Sequence, residues 1–158
     1  MINCFQTANC SILHHMSNHK IYPCLWFNHN AQEAVQYYCS IFKNAKVLSD
    51  SGMVVMFELN DTKFMALNGG PHFQFNESIS MVLNCEGQDE VDYYWNALTE
   101  NGGQESQCGW LKDKFGISWQ IVPMELMTYV GHSDPEIREY AFQQMLKMKK
   151  IEINQLTK

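Results

Sequence analysis

The chain repeats one order of predicted elements in its two halves, and this repeat limits the possible folds more than any other feature. In the first half, a strand at 21–27 precedes a helix at 31–42 and then further strands. In the second half, a strand at 78–85 precedes a helix at 90–99 and a hairpin whose last strand spans 117–122. An internal duplication of this kind predicts an α+β fold built from two similar modules.

The two predicted helices also correspond in sequence. Tyr37 and Tyr38 in the first helix occupy places similar to those of Tyr93 and Tyr94 in the second. Apolar residues recur in both helices three and four positions apart, which is the spacing that gives a helix one apolar face. Each helix is therefore expected to cover one face of its own sheet.

Turn residues separate the predicted elements. Residues 28–30 are expected to cap the first helix, and Gln88 or Asp89 is expected to cap the second. In the first half, strands are expected at 46–48 and 53–59 and then at 63–68, the last two joined by a hairpin turn. A short or irregular strand is expected around 105–108. After Pro123 the chain is expected to form a helical turn near 126–130.

The C-terminal part has a clear helix start. Asp134 is placed to cap a helix whose first position is Pro135, and this helix is expected to continue to about residue 150. Residues 1–20 have no comparable periodicity and are expected to form a disordered N-terminal extension. Met16 is interpreted as the natural start. His14, His15 and His19 could bind a metal ion adventitiously, although a flexible tail is the simpler interpretation.

Composition limits the functional classes. The 158 residues carry a formal net charge of -6, which argues against nucleic-acid binding, and the apolar runs are too short for a membrane span. The six cysteines contain no CxxC pair, so we expect reduced thiols and a cytoplasmic protein.

Three longer strings identify a family resemblance. IYPCLWFNHNAQEAVQYYCSIFKNAKVL (21–48), FMALNGGP (64–71) and CGWLKDKFGISWQIVP (108–123) resemble the PhnB-like branch of the vicinal oxygen chelate, or glyoxalase-like, superfamily. Its members are often labelled demethylubiquinone methyltransferase. The chain has no glycine-rich strand-turn-helix of the kind that holds a nucleotide-like methyl donor, so its residues do not predict that activity.

The resemblance implies a domain organisation. It implies two paired βαβββ modules, at about 21–70 and 78–123, which together form a glyoxalase-like domain at 21–123 and curl into a cup around a cavity. Residues 124–158 then form a helical tail. Homodimers in which the partner helps to close each cavity are implied as well. Because only residues 49–52 stand where relatives have a longer hairpin, we expect the second strand of the first module to be shortened or lost.

The resemblance also implies where a metal would bind, because metal-dependent relatives use His and Glu ligands on the strands lining the cup. The corresponding positions here are Pro23 or Cys24, Asn68, Ile79 or Ser80, and Gln120. None is a carboxylate or imidazole, and uncharged ligands alone hold divalent ions poorly. We therefore expect no tight metal site and no cofactor.

Without a metal, aromatic and amide side chains are the candidates for ligand binding in the cup. The tryptophans could stack on a flat molecule while the amides and a hydroxyl orient its polar groups. The candidate residues are Trp26, Asn68, Ser80, Trp110, Trp119 and Gln120. The alternative is that the tryptophans belong to the core and the amides satisfy backbone groups.

Three further residues have both a structural and a chemical interpretation. Cys108 could be a nucleophile, but no histidine is placed by sequence to activate it, so a plain thiol is favoured. His72 could act in proton transfer near the mouth of the cup, although a loop histidine is more often solvated. Asp113 is expected to lie in a solvated turn.

The sequence therefore predicts a protein that binds a small aromatic or hydrophobic molecule in a metal-free cup as a homodimer. Two alternatives remain open from the residues. One is an enzyme, either a metal-independent lyase or isomerase or a metal-dependent enzyme with other ligands. The other is a non-catalytic dimeric scaffold.

Overall fold

The computed structural model of the protein describes residues 20–158. The predictions made for the N-terminal extension and its histidines lie outside the described residues. No helix in the described part of the chain is long and apolar enough to cross a membrane.

Residues 24–68 form the first module, a four-stranded sheet covered by one helix. The sheet order is β1-β4-β3-β2, with β1 parallel to β4 and the other pairs antiparallel. The elements are β1 (Cys24–Phe27), α1 (Ala31–Ile41), β2 (Ala45–Asp50), β3 (Val54–Leu59) and β4 (Thr62–Asn68).

The second module has the same order of elements. Its sheet order is β5-β8-β7-β6, with β5 parallel to β8. The elements are β5 (Ser80–Cys85), α2 (Gly87–Thr99), β6 (Gln104–Glu105), β7 (Trp110–Lys112) and β8 (Ser118–Pro123). The predicted α+β fold of two βαβββ modules is confirmed.

Some predicted boundaries are corrected. The first strand begins at Cys24 rather than at residue 21. The second strand of module one is not lost, because β2 continues to Asp50 and pairs with β3 despite a register shift. The predicted caps of α2 are wrong, because the helix begins at Gly87 and includes both Gln88 and Asp89. In their place, the Glu90 carboxylate accepts the backbone N–H of Glu86 at 2.7 Å.

Each sheet has two distinct faces because side chains alternate along a strand. We call the face under the helix the covered face and the opposite one the open face. The covered faces of both sheets, together with α1 and α2, share one hydrophobic core. Aromatic contacts joining the modules come from this core, as in the packing of Phe42 against Tyr94 and Trp119 at ring-centroid distances of 5.2 and 5.4 Å. The open faces lie on the far side of each sheet from this core.

The C-terminal segment folds back onto module two. It contains α3 (Leu126–Val130) and α4 (Pro135–Met145), and the Asp134 side chain accepts the N–H of Glu136 at 2.8 Å, which confirms the predicted cap. Helix α4 ends earlier than expected because the chain then turns to meet module two, where the N–H of Gly109 donates to the Lys149 carbonyl at 2.7 Å. A Cβ at Gly109 would lie 2.8 Å from the Ile121 carbonyl oxygen, so only glycine allows this close approach.

Candidate functional site

Three of the predicted site residues come together on the open face of the second sheet. The Gln120 side-chain amide donates a 2.8 Å hydrogen bond to the Ser80 hydroxyl. Trp110 pairs with Gln120 across the β7–β8 ladder, so the two side chains are neighbours on the same face. All three are partly exposed. We call this group the Gln120 patch.

A charged pair borders the Gln120 patch. Lys112 precedes the β7–β8 turn, and its Nζ lies 2.5 Å from the carboxylate of Glu77, which belongs to the segment linking β4 to β5. The hydrogen bond from Lys112 holds the pKa of the Glu77 carboxyl below its usual value. The charge of Lys112 beside the Gln120 patch is thus paired with a carboxylate.

Trp26 lies on the open face of the first sheet, separate from the Gln120 patch. Its indole N–H donates to the Gly70 carbonyl at 2.8 Å, and its ring meets Phe73 edge to face at 4.9 Å. A Cβ at Gly69 would lie only 2.3 Å from the indole carbons, so glycine is required beneath the ring. The indole is therefore held in one orientation with part of its surface exposed.

The structure corrects the predicted position of Asn68. Asn68 follows the buried residues Phe64 and Ala66 at steps of two along β4, so its side chain lies on the same, covered side of the sheet. Its Oδ1 accepts the N–H of Ala31 at 2.9 Å, and its Nδ2 donates to the Gly52 carbonyl at 2.8 Å. Asn68 thus caps helix α1 and ties it to the β2–β3 hairpin instead of lining the open face.

Trp119 is also on the covered face, where it is only 4% exposed. Its ring packs on Phe42, and its indole N–H donates to the Asp113 carboxylate at 2.9 Å. The core interpretation of this tryptophan is therefore supported, and the structure gives it no open-face surface for a ligand.

Asp113 is the residue whose role the sequence analysis missed. Instead of lying in a solvated turn it is 3% exposed. Its carboxylate accepts hydrogen bonds from the Tyr38 hydroxyl at 2.7 Å, the Trp119 indole at 2.9 Å, and the backbone N–H groups of Phe115 and Ile117. Burial raises the pKa of the Asp113 carboxyl above its ordinary value, and these donors lower it only in part. An aspartate that bonds the backbone two residues later is a known turn signal that could have indicated this arrangement.

The structure does not place Cys108 or His72 in a catalytic arrangement. Cys108 has a backbone φ of 57°, and its N–H donates to the Met148 carbonyl at 2.8 Å, which places it in the junction with the C-terminal segment. His72 lies exposed in the segment that links the modules. Both residues therefore retain their structural or solvated interpretation.

The residues do not fit the metal centre that the sequence resemblance implies. Two of the corresponding positions, Ser80 and Gln120, bond each other, and Asn68 lies on the opposite side of its sheet. Within residues 20–158, no group of three or more His, Cys, Asp or Glu side chains is arranged to hold an ion. We therefore derive no step through a metal.

Comparison with protein families identifies the relationship. The family model described as 3-demethylubiquinone-9 3-methyltransferase matches residues 19–122. The chain belongs to this family. The matched region contains both modules of this family member apart from Pro123, the last residue of β8, and the C-terminal segment lies beyond it.

The family member shares its fold with several solved structures. It is 27% identical to the PhnB protein from Bacillus cereus, with a TM-score of 0.60 over 66% of this chain and 98% of that one. A protein from Pseudomonas aeruginosa, 23% identical, has a TM-score of 0.52 over 63% of this chain and 92% of that one.

A more distant structural relative shows the fold alone. It is the fosfomycin resistance protein FosX from Listeria monocytogenes, solved with manganese and sulfate, which is 14% identical. Its TM-score is 0.54 over 71% of this chain and 96% of that one. No curated protein matches the chain significantly.

Proposed function

We propose that the protein binds a small aromatic or hydrophobic molecule at the Gln120 patch without a metal ion. The observation that carries this proposal is the meeting of an amide, a hydroxyl and an indole on one partly exposed face. A carboxamide offers two acceptor positions and two donors, and the contact with Ser80 uses one donor. The patch can therefore orient a polar group while Trp110 covers the flat part of a ligand.

We further propose that a second copy of the chain completes the site. The hydrogen bonds between the modules come from the two helices and the β7–β8 turn, as with Tyr38 and Asp113 or Tyr93 and Ile41. On the open face of the second sheet, Val82 lies beside Gln120 and is 58% exposed. Strands β1 and β5 are both sheet edges, which can accept a neighbouring chain. A homodimer that sets the Trp26 face of one copy against the Gln120 patch of another would enclose a ligand.

The proposed setting is the cytoplasm. Cys24, Cys39, Cys85 and Cys108 are free thiols in the described part of the chain. Free thiols are typical of proteins in reducing compartments, which supports the proposal.

Ligand-observed NMR with neutral aromatic fragments tests the binding proposal. Gln120→Ala and Trp110→Ala are expected to weaken a fragment that binds the wild type, the first by about 2–10-fold because one neutral hydrogen bond is lost. Gln143→Ala is the matched control, since Gln143 is an exposed amide on α4. Unchanged affinity in both patch variants, with both still folded, would show that the ligand binds elsewhere.

A further inference from the structure

A small cavity lies on the open face of the second sheet, next to the Gln120 patch. It has a volume of about 150 Å³, and its lining includes Trp110 and Lys112 of β7, Ser118 of β8, and Glu77 of the segment that links β4 to β5. Because Trp110 belongs to both, the cavity continues the patch. Its volume is smaller than that of a whole small-molecule site, so it has room for one functional group of a larger ligand. We call this cavity the Lys112 pocket.

Ser118 is the residue of the Lys112 pocket whose hydrogen bonding is incomplete. It stands two residues before Gln120 in β8 and directly opposite Lys112 in β7, so its side chain shares their open face. It is 2% exposed, and its hydroxyl has no hydrogen-bond partner within residues 20–158. Buried hydroxyl groups are normally paired, because burying one without a partner destabilises the fold. A ligand oxygen in the pocket would supply the missing partner.

The ion pair between Lys112 and Glu77 is the part of the pocket that is easiest to rearrange. Both side chains are partly exposed, and ion pairs of this kind contribute little to stability. Glu77 also belongs to a linking segment and not to a strand. A second carboxylate can therefore replace that of Glu77 at small cost.

The polar groups of the pocket define the chemistry of its ligand. The Lys112 ammonium group has three donors, of which the pair with Glu77 uses one, and the Ser118 hydroxyl adds another donor. The second carboxylate in the lining, Glu105, is already paired with Lys149 at 3.2 Å. Donors thus surround a cation that already holds a carboxylate. This combination favours a negatively charged oxygen that accepts hydrogen bonds.

We propose that the ligand of the Gln120 patch is a small aromatic acid. Its carboxylate replaces Glu77 on Lys112, and the movement of that lysine lets it accept the Ser118 hydroxyl. Its ring lies on Trp110, which stands two residues before Lys112 in β7, so their Cα atoms are about 7 Å apart on one face. A ring that carries a carboxylate spans this distance. An aromatic acid is one member of the ligand class in the proposed function, on which this proposal rests.

Fluorine NMR with two matched probes, 4-fluorobenzoate and the neutral 4-fluorobenzamide, tests the role of the charge. We expect 4-fluorobenzoate to bind more tightly and to weaken as sodium chloride is added, because salt screens its attraction to Lys112. Lys112→Gln is expected to weaken 4-fluorobenzoate by about 10-fold, the effect of one lost hydrogen bond to a charged group, and 4-fluorobenzamide much less. Lys43→Gln is the control, since it removes the same charge at an exposed lysine between α1 and β2. It should change neither affinity.

Two further variants should move the affinity for 4-fluorobenzoate in opposite directions. Glu77→Gln removes the competing carboxylate and is expected to tighten binding by about 2–5-fold, the strength of an exposed ion pair. Ser118→Ala is expected to weaken binding by about 2–10-fold, the effect of one lost hydrogen bond. In urea unfolding without ligand, Ser118→Ala should show no loss of stability, because it removes a buried hydroxyl that has no partner within the described residues.

The outcomes distinguish this proposal from the proposed function. Equal binding of the two probes, equal weakening of both by Lys112→Gln, weaker binding in Glu77→Gln, or unchanged affinity in Ser118→Ala would each overturn the aromatic acid as ligand. The proposed function would survive any of these results as long as Trp110→Ala and Gln120→Ala weaken the probes. If neither probe binds, or if those two variants leave both affinities unchanged, the proposed function fails and the aromatic acid with it.

Discussion

The Tyr38 hydroxyl donates a 2.7 Å hydrogen bond to the Asp113 carboxylate and so joins helix α1 of module one to the β7–β8 turn of module two. The same carboxylate accepts from the Trp119 indole at 2.9 Å. One buried acid thus holds the first helix, the last strand and the turn between them in a single arrangement. This contact helps to set how the two modules meet, and therefore where their open faces point.

Replacing Asp113 should destabilise the whole domain. Asp113→Ala leaves the Tyr38 and Trp119 donors buried without an acceptor, and we expect a loss of at least about 2 kcal/mol in the free energy of unfolding. Tyr38→Phe should cost less, because it removes only one donor. Asp89→Ala, at an exposed carboxylate in α2, should change stability by less than about 1 kcal/mol. Urea unfolding measures all three, and equal effects of Asp113→Ala and Asp89→Ala would refute the prediction.

The stability that Asp113 provides should decrease as the pH rises, whereas a carboxylate with a lowered pKa would give the opposite dependence. Burial raises the pKa of this carboxyl in the folded state, so the folded protein binds the proton more tightly than the unfolded chain does. Its contribution is then fully present below the unfolded pKa of about 4 and is lost as the pH rises through the raised folded pKa. The stability difference between wild type and Asp113→Ala should therefore shrink from acid to neutral pH in urea titrations. A difference that grows over this range would mean that the hydrogen bonds to Asp113 lower its folded-state pKa by more than burial raises it.

The fit between Trp26 and Gly69 should be sensitive to a single methyl group. A Cβ at position 69 would lie 2.3 Å from the indole ring, so Gly69→Ala should destabilise the fold by about 1–3 kcal/mol. In a Trp26→Ala background the same change should cost much less, because the colliding ring is gone. A double-mutant cycle in urea measures this coupling. Additive effects of the two changes would show that the ring moves aside without cost.

The proposed homodimer should be disrupted at the exposed edge of the second sheet. Val82 is 58% exposed on β5, and Val82→Lys should give a monomer because a charge would be buried in the contact. Ile137→Lys on α4 is the control, since Ile137 is 38% exposed but belongs to neither of the edge strands β1 and β5. Light scattering after size-exclusion chromatography measures the masses. A monomeric wild type, or a dimer that survives Val82→Lys, would rule out this contact.

The purified protein is predicted to hold no tightly bound metal ion. The open-face positions implied for ligands carry Ser80 and Gln120, which bond to each other and bring no charge. Native mass spectrometry before and after mild chelation should show the same mass for tag-free protein. A variant with His14, His15 and His19 changed to Ala separates any ion held by the N-terminal residues from one held by the fold. One chelator-resistant divalent ion per chain in that variant would contradict the prediction.

Much of the candidate site could be predicted because strand alternation is a local property. Gln120 and Trp110 come from neighbouring strands of one hairpin, and Ser80 comes from the strand that begins the same module. Their strand assignments were sufficient to indicate a shared sheet. Trp119 precedes Gln120 in β8, so alternation alone puts these two side chains on opposite faces and only one of them could line the site. Asn68 was misplaced because the face on which a strand residue lies depends on where its helix packs.

The sequence by itself determined the two βαβββ modules and the family, since these follow from hydrophobic periodicity, turn residues and motifs that act over short distances. Only the tertiary structure decided what Asp113 does. Its main side-chain partner, Tyr38, lies 75 residues away in the other module. A turn aspartate normally remains solvated, and only the packing of one module against the other removes it from water. The cavity of about 300 Å³ lined by Cys24, Phe75 and Met81 has the same origin, because its walls come from three segments that meet only in the folded chain.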